Sequence, residues 1–180
     1  MTAPLIRPAD PGRDAAACAA VYAPYVEGSP ISFEERAPSA EEMAARIAET
    51  STTHPWLVAE LGGEVVGYAY ACRFLERPAY RWTAGVSVYV GEGWHGRGVG
   101  RALYAELFER LRRQGFRIAY AGITVPNPAS VALHRGLGFV EVGVSRGIGW
   151  KEGAWRDLGW WQLDLAPEGE DPPSEPLPPD

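Results

Sequence analysis

The sequence predicts one α+β domain: a twisted, mixed but mostly antiparallel sheet of about seven strands, flanked by helices. Three observations carry this. Short apolar runs of strand length alternate with helical patterns over residues 5–165. Gly62-Gly63 divides two such runs and has the length of a β-hairpin turn. A β-rich run over 82–90 passes through a glycine loop into the strongest helical pattern of the chain, 99–114. No internal repeat or linker interrupts this stretch.

The elements follow in order. Residues 5–7 form a short first strand and 8–12 a turn. Asp14 opens a helix through 15–22, where alanines favour the helical state. After Pro24, a loop containing Gly28 and Pro30 delivers Ile31, Phe33, Glu34 and Glu35. Ser39 with Glu42 three residues on is a capping box for a helix reaching residue 49. Residues 56–61 and 64–72 are the arms of the hairpin, and a proline-containing loop at 77–80 leads into the strand at 82–90. In the helix at 99–114, Val99, Leu103, Leu107 and Leu111 share one face, while Glu106/Arg110 and Glu109/Arg113 pair on another. Gly115 stops it. Residues 118–125 read as a strand, 128–137 as a short helix, and 139–144 with 155–165 as closing strands.

Of 180 residues, 46% are hydrophobic and 22% charged, as in ordinary globular proteins. The net charge of −6 argues against nucleic acid or an anionic membrane as partner. Residues 166–180 hold five acids, no base and six of the 16 prolines; without those five charges the body carries −1. That segment is expected to be a disordered acidic tail after a domain over 1–165. Cys18 and Cys72 lie in no CxxC or Cys/His cluster, so reduced, buried thiols and no metal site are expected. No run has signal-peptide or membrane-spanning length, so the expected location is the cytoplasm.

The chemistry-bearing stretch is Val88-Tyr89-Val90-Gly91-Glu92-Gly93-Trp94-His95-Gly96-Arg97-Gly98-Val99-Gly100-Arg101. A strand that runs through glycines into a helix exposes backbone N–H groups at the positive end of the helix dipole, which suits a phosphate or pyrophosphate. Glycines at 96, 98 and 100 remove side chains that would hold a phosphate off the backbone, and Arg97 and Arg101 add positive charge. A P-loop is excluded, because Arg97-Gly98 stand where Lys-Ser/Thr are needed. A dinucleotide fingerprint fails in both registers, at Arg101 and at Leu103.

What remains, His95-Gly96-Arg97-Gly98-Val99-Gly100, resembles the Q/R-x-x-G-x-G/A loop of the GNAT superfamily of acetyl-CoA-dependent N-acetyltransferases, with His95 departing from Gln/Arg. Asn127 to Phe139 resembles the same family's N-x-x-[AS]-x-x-[LY]-[YH]-x-x-x-G-[FY] helix and turn, with Ser130 at the small-residue position. Short words over residues 5–165, such as Val88-Tyr89-Val90 and Trp161-Gln162-Leu163-Asp164-Leu165, are similar to the phosphinothricin N-acetyltransferase subfamily.

The resemblance implies a GNAT fold with splayed central strands and acetyl-CoA wedged between them. It implies acetyl transfer by direct attack of the amino group of a small amino-acid-like substrate: phosphinothricin, methionine sulfoximine or methionine sulfone. Val88, Tyr89 and Val90 would hold the pantetheine arm, residues 96–101 with His95 the pyrophosphate, and Asn127 and Ser130 would lie along the cofactor. Phe33, Arg77 and Tyr80 would line the amino-acid pocket, with Trp82 beside them. Relatives often pair as dimers, and the aromatic closing segment 155–161 reads equally as the interface of a homodimer or as part of the core.

Some alternatives stay open at this level. Asn127 reads equally as a helix cap, Arg77 as a solvated surface residue, and His134 as a packing histidine rather than the acid for the departing thiolate. Gly85 stands where the subfamily carries a glutamate proposed as base, three residues before Val88. Glu34 is then the candidate base, with Glu35 and His134 as substitutes. A different amine, a protein N-terminus, or an acetyl-CoA sensor without turnover are the rival functions.

Overall fold

The computed structural model describes residues 3–166 and 174–179. Seven strands form one sheet in the order β1-β2-β3-β4-β5-β7-β6. β1 is Leu5–Pro8, β2 Trp56–Leu61, β3 Glu64–Arg73, β4 Thr83–Val90, β5 Ile118–Val125, β6 Val140–Lys151 and β7 Ala154–Asp164. The pairs are antiparallel except β4/β5, which run parallel.

One face of the sheet is covered by α3 (Val99–Gln114) and α4 (Pro128–Gly136). Leu103, Leu107 and Leu111 of α3 are fully buried there against Ala84, Val86, Ala119 and Ala121. The small alanines let the helix approach the sheet closely. The other face carries α1 (Pro11–Glu27) and α2 (Ala40–Thr50), which bury Cys18, Val26, Met43 and Ile47 against Val58 and Tyr68. That face is left uncovered toward β5 and β7, which is where a ligand can enter.

Several boundaries differ from expectation for identifiable reasons. Asp14 does not open α1. Asp10 does, its side chain accepting from the Arg13 N–H at 2.8 Å, with Pro11 in the first turn. Asp14 is instead buried, taking both guanidinium arms of Arg7 at 2.6 and 2.8 Å. The helix also runs through Pro24, because tertiary contacts beyond it hold the last turn: Val26 is buried and the Tyr25 hydroxyl donates to the Val90 carbonyl at 2.6 Å. The Ser39/Glu42 capping box forms at the start of α2.

The largest difference is β6, expected to end at 144 and in fact reaching Lys151. Its pairing with β7 slips between Ser145 and Gly149 and then resumes. The expectation of a disordered tail does not describe residues 174–179. Leu177 exchanges two hydrogen bonds with Gln114, each 2.7 Å, and the Ser174 carbonyl accepts from the Trp82 indole at 2.7 Å. Arg81 pairs with Glu175. Residues 167–173 and 180, with most of the tail's acids, lie outside the described residues.

Candidate active site

The parallel pairing of β4 with β5 covers only Thr83, Ala84 and Gly85 against Ile118, Ala119 and Tyr120. Beyond Gly85 the strands part, while β5 remains paired to β7 as far as Val125. The backbone of Val86–Val90 therefore loses its partner on one edge, and a narrow slot of about 60 Å³ opens through the sheet. Tyr89, Tyr104, Gly122, Asn127, Ser130 and His134 are among its lining residues.

At the far end of β4 the chain enters α3 through the glycine loop. Gly96 and Gly98 adopt φ of +71° and +82°, and a Cβ at either would meet nothing within 4 Å. The φ values, not crowding, call for glycine. Gly98 caps α3 without a side-chain hydrogen bond, and the first ladder bond runs from Ala102 N–H to Gly98 O at 2.9 Å. The N–H groups of Val99, Gly100 and Arg101 thus precede the ladder and face outward at a helix N-terminus. This is a fitting cradle for a pyrophosphate. Gly100 is glycine for another reason: its Cβ would lie 3.2 Å from Leu133, so α4 packs directly on it.

The charged residues of the loop are arranged less directly. Arg97 lies over the Trp94 ring at 5.1 Å. Arg101 donates to the Gly136 carbonyl at 3.0 Å, closing the C-terminal end of α4. His95 turns back, its Nε2 2.9 Å from the Val90 carbonyl and 2.8 Å from the Tyr25 hydroxyl. Asn127 caps α4, accepting from the Ser130 N–H at 3.1 Å, and also lines the slot, so both of its readings coexist.

His134 is 3% exposed and sits where α4 meets α3. Its Nδ1 is 2.8 Å from the Ser130 carbonyl, which can only accept, so Nδ1 carries the proton and Nε2 is left as an acceptor. The Tyr104 hydroxyl, 3.2 Å away, supplies the matching donor. Burial lowers the imidazole below its usual pKa, against a smaller opposing effect of the Ser130 carbonyl, while burial raises the Tyr104 phenol. Both groups are therefore neutral near pH 7, poised as a linked pair beside the slot.

On the α1/α2 face the slot is continuous with a cavity of about 460 Å³, sharing Val86, Ser87 and Gly122 with it. Cys72, Phe74, Tyr120 and Trp160 form much of its wall, and Gly85 its floor. Tyr80 meets Phe74 edge-on at 6.2 Å, so it extends the wall, and Arg77 opens the short 3₁₀ turn Pro78–Tyr80 before it. Trp82 does not join them; its indole is engaged by Ser174.

The loop between α1 and α2 borders the same face. Phe33 is 38% exposed, with its ring laid on Gly149 of β6. Glu34 is bound by both arms of Arg46 at 2.7 and 2.9 Å and by the Tyr22 hydroxyl at 3.0 Å. The Arg46 hydrogen bonds, outweighing desolvation, hold its carboxyl below the usual range. Lys151 of β6 donates to the carbonyls of Val26 and Glu34, and Thr124 of β5 to that of Ile31 at 2.9 Å, so both strands fix this loop. Among the described residues no cluster of His, Cys, Asp and Glu is placed to hold a metal ion.

Sequence reasoning singled out the glycine loop and His134, which lines the slot, and did not single out Tyr104, Phe74, Tyr120 and Trp160. Tyr104 lies one position off the leucine stripe of α3 and reads as core. The other three come from separate strands and loops, and only the fold brings them together.

Comparison with known proteins agrees with this geometry. Residues 20–139 match the acetyltransferase (GNAT) family. A phosphinothricin N-acetyltransferase of Streptomyces viridochromogenes is 39% identical over 160 residues, covering 89% of this chain and 87% of the relative. An L-methionine sulfoximine/L-methionine sulfone acetyltransferase of Pseudomonas paraeruginosa is 42% identical over 115 residues, 63% of this chain and 67% of that protein. The crystal structure of a phosphinothricin acetyltransferase from Sinorhizobium meliloti in complex with acetyl-CoA superimposes with a TM-score of 0.90 at 35% identity, covering 97% of this chain and 95% of that one. With splayed strands, phosphate loop and sequence in agreement, the chain belongs to the GNAT family of acetyltransferases.

Proposed function

We propose that this enzyme transfers acetyl from acetyl-CoA to the primary amino group of a small amino-acid-like substrate, of the kind for which its relatives are named: phosphinothricin, methionine sulfoximine or methionine sulfone. The observation that carries this reading is the parting of β4 from β5 beyond Gly85, with β4 leading through the glycine loop to the left-handed Gly98 that starts α3. One binds an extended arm along a strand edge, the other a pyrophosphate at its end.

In this reading Gly96 to Arg101 hold the pyrophosphate mainly through backbone N–H groups, with Arg97 and Arg101 contributing field rather than direct contact. His95 braces the end of β4 through Val90. Val88, Tyr89 and Val90 carry the pantetheine arm, with Asn127 and Ser130 along its other side. Phe33, Arg77 and Tyr80 border the acceptor. The amine attacks the thioester carbonyl directly, and donors fixed beside the slot stabilise the oxyanion. Tyr104 lines the slot and gives its hydroxyl proton to the departing thiolate, while the proton shed by the attacking nitrogen is taken up at Nε2 of His134 and passes from there to the Tyr104 oxygen. Glu34, committed to Arg46, serves the Phe33 loop rather than removing a proton.

Self-association fits an exposed apolar strip on β6 and β7 that includes Val140, Val144, Ile148, Trp150 and Trp155. The net charge of −6 speaks against nucleic acid as a partner. No helix among the described residues is long and apolar enough to cross a membrane. A cytoplasmic location goes with a co-substrate supplied there.

The deciding experiment follows thiol release from acetyl-CoA against phosphinothricin, methionine sulfoximine, methionine sulfone, polyamines and peptide N-termini, alongside calorimetric binding of acetyl-CoA. Saturable release with any primary amine is the expected result. Tight acetyl-CoA binding without release from the whole panel would refute the transferase reading.

A further inference from the structure

Three residues line both the narrow slot and the larger cavity on the α1/α2 face: Val86, Ser87 and Gly122. They mark the mouth where an acceptor entering through the cavity meets an arm held in the slot. Val86 turns the other way, into the core beneath α3. Gly122 has no side chain, and a Cβ there would lie 3.2 Å from the Trp160 ring. Of the three, Ser87 alone brings a polar side chain to the mouth.

The strand explains why. On β4 the side chains at 85, 87 and 89 share the face toward α1 and α2. Gly85 is bare, and Tyr89 is enclosed by the rings of Tyr22, Tyr25 and Tyr68, with centroids 4.7, 5.1 and 5.3 Å away. Ser87 lies between them, past the last pairing of β4 with β5, so its own backbone belongs to the free edge. Two other hydroxyls that line the slot are already engaged, Thr124 by the Ile31 carbonyl and Tyr104 by His134. Tyr70 of β3 faces Ser87 in the register of the two strands. Burial pushes the Tyr70 phenol up to about 12, against a smaller opposing effect of the Ser87 hydroxyl, so it stays a donor. A serine oxygen has two lone pairs, and beside that donor one is left for a substrate N–H. The aromatic wall of Phe74, Tyr120 and Trp160 attracts the ammonium that arrives there.

We propose that Ser87 anchors the amino group of the acceptor: its Oγ accepts one N–H and turns the lone pair of the free amine toward the thioester carbonyl. This rests on the acetyltransferase reading of the same cleft and adds the residue that aims the nucleophile. No bond to Ser87 forms or breaks. The N–C bond forms, the C–S bond breaks with its electrons on sulfur, the nitrogen gives its proton to His134, and Tyr104 gives one to the thiolate. Ser87 supplies the geometry of approach, which acts on kcat, while the ring walls hold the body of the substrate and set KM. Tyr70 is a positioning residue that acts through Ser87.

The test uses the whole protein and follows thiol release from acetyl-CoA with whichever of phosphinothricin, methionine sulfoximine and methionine sulfone the native enzyme turns over fastest. Ser87→Ala should lower kcat by about ten- to a hundredfold, with KM for the amine within about threefold and acetyl-CoA affinity within about twofold. Ser87→Thr and Ser87→Val have the same shape and suit a strand equally, and they differ in the hydroxyl. The Thr variant should exceed the Val variant in kcat by at least about tenfold. Tyr70→Phe keeps the ring stacked on Trp56 at 4.3 Å and should cost about threefold in kcat, and nothing further in a Ser87→Ala background.

Native kcat in Ser87→Ala would overturn the proposal and leave the transferase reading standing. So would equal turnover of the Thr and Val variants, because the hydroxyl would then do nothing that its shape does not. A loss in Ser87→Ala that lies wholly in acetyl-CoA affinity would also overturn it, by moving Ser87 from the acceptor to the strand edge that holds the arm. An undiminished loss from Tyr70→Phe in the Ser87→Ala background would remove Tyr70 from the arrangement. Thiol release from no amine by the native enzyme, with acetyl-CoA bound, would instead overturn the transferase reading, and the anchor with it.

Discussion

The Tyr104 hydroxyl stands 3.2 Å from Nε2 of His134, whose other nitrogen is already committed to the Ser130 carbonyl at 2.8 Å. The tautomer is thereby fixed, and the pair can pass a proton in one direction at a time. Tyr104→Phe removes the hydroxyl and keeps the ring, which stacks on Phe108 at 4.9 Å. It should lower kcat by about a hundredfold while leaving acetyl-CoA affinity within twofold. His134→Ala should cost a similar factor, and the double variant little more than either. Independent, multiplying losses would separate the two residues.

The same pair sets a pH expectation. Burial depresses His134, so protonation, which would abolish its acceptor nitrogen, occurs only below the ordinary pH of about 6.5. With a saturating amine that is uncharged throughout, kcat should stay level down to that point and fall below it. In Tyr104→Phe this acid limb should disappear. An acid limb centred above 6.5 in the native enzyme would contradict the burial argument.

Gly98 and Gly100 are two residues apart and answer to different constraints. At Gly98 the backbone is left-handed with open space around it, so Gly98→Val strains the loop that presents the N–H groups. Calorimetry should show acetyl-CoA binding about five- to thirtyfold weaker, from a strain of about 1–2 kcal/mol. At Gly100 a side chain meets Leu133, so Gly100→Val should instead lower the melting temperature by pushing α4 from α3. Equal effects of the two substitutions on affinity and on melting would undo this distinction.

How much was legible follows from where each signal lies in the chain. The helix Val99–Gln114 and the strand Ile118–Val125 have the bounds expected, because their apolar periodicity and glycine stop are complete within the segment. The glycine loop was conspicuous for the same reason: Gly96, Gly98 and Gly100 alternate within one short segment, and the left-handed turns at Gly96 and Gly98 are local. β6 was not, since Val144 to Lys151 alternates glycines with exposed residues and is a strand only by pairing with β7. Glu34 looked available because the sequence does not bring it to Arg46, twelve residues away on the next helix. The cavity wall is built from β3, β4, β5 and β7, and no local pattern announces such a convergence.

Asp14 is 1% exposed and carries the Arg7 guanidinium on both oxygens. Desolvation opposes ionisation, but the Arg7 hydrogen bonds and the Asp10 N–H together outweigh it, so the folded pKa lies below 3.8. The sign follows: the contribution is present above the unfolded value and is lost as pH falls through the folded one. Asp14→Asn should destabilise by about 3 kcal/mol at neutral pH, leaving Arg7 with Glu60 as its one remaining anion among the described residues. Its deficit relative to the native chain should shrink below pH 3.8 in chemical unfolding. A deficit independent of pH would mean that the lost contacts are steric rather than ionic.

Gly149 of β6 is the seat of Phe33. A Cβ there would lie 2.5, 2.8 and 2.9 Å from three atoms of the ring, closer than packed atoms stand, so Gly149→Ala must displace it. Phe33 is partly exposed and can swing, whereas β6 is held by β7 on one side and by Lys151 reaching the loop carbonyls on the other. The ring should therefore move and the strand stay. If Phe33 borders the acceptor, Gly149→Ala should change KM for the amine by at least about threefold with acetyl-CoA affinity unchanged. In a Phe33→Ala background the same substitution has nothing to displace and should be silent. The two changes would then couple by about 1 kcal/mol, the scale of residues in direct contact. Additive changes in KM would mean that Gly149 acts through the β6 backbone and that the ring does not shape the acceptor site.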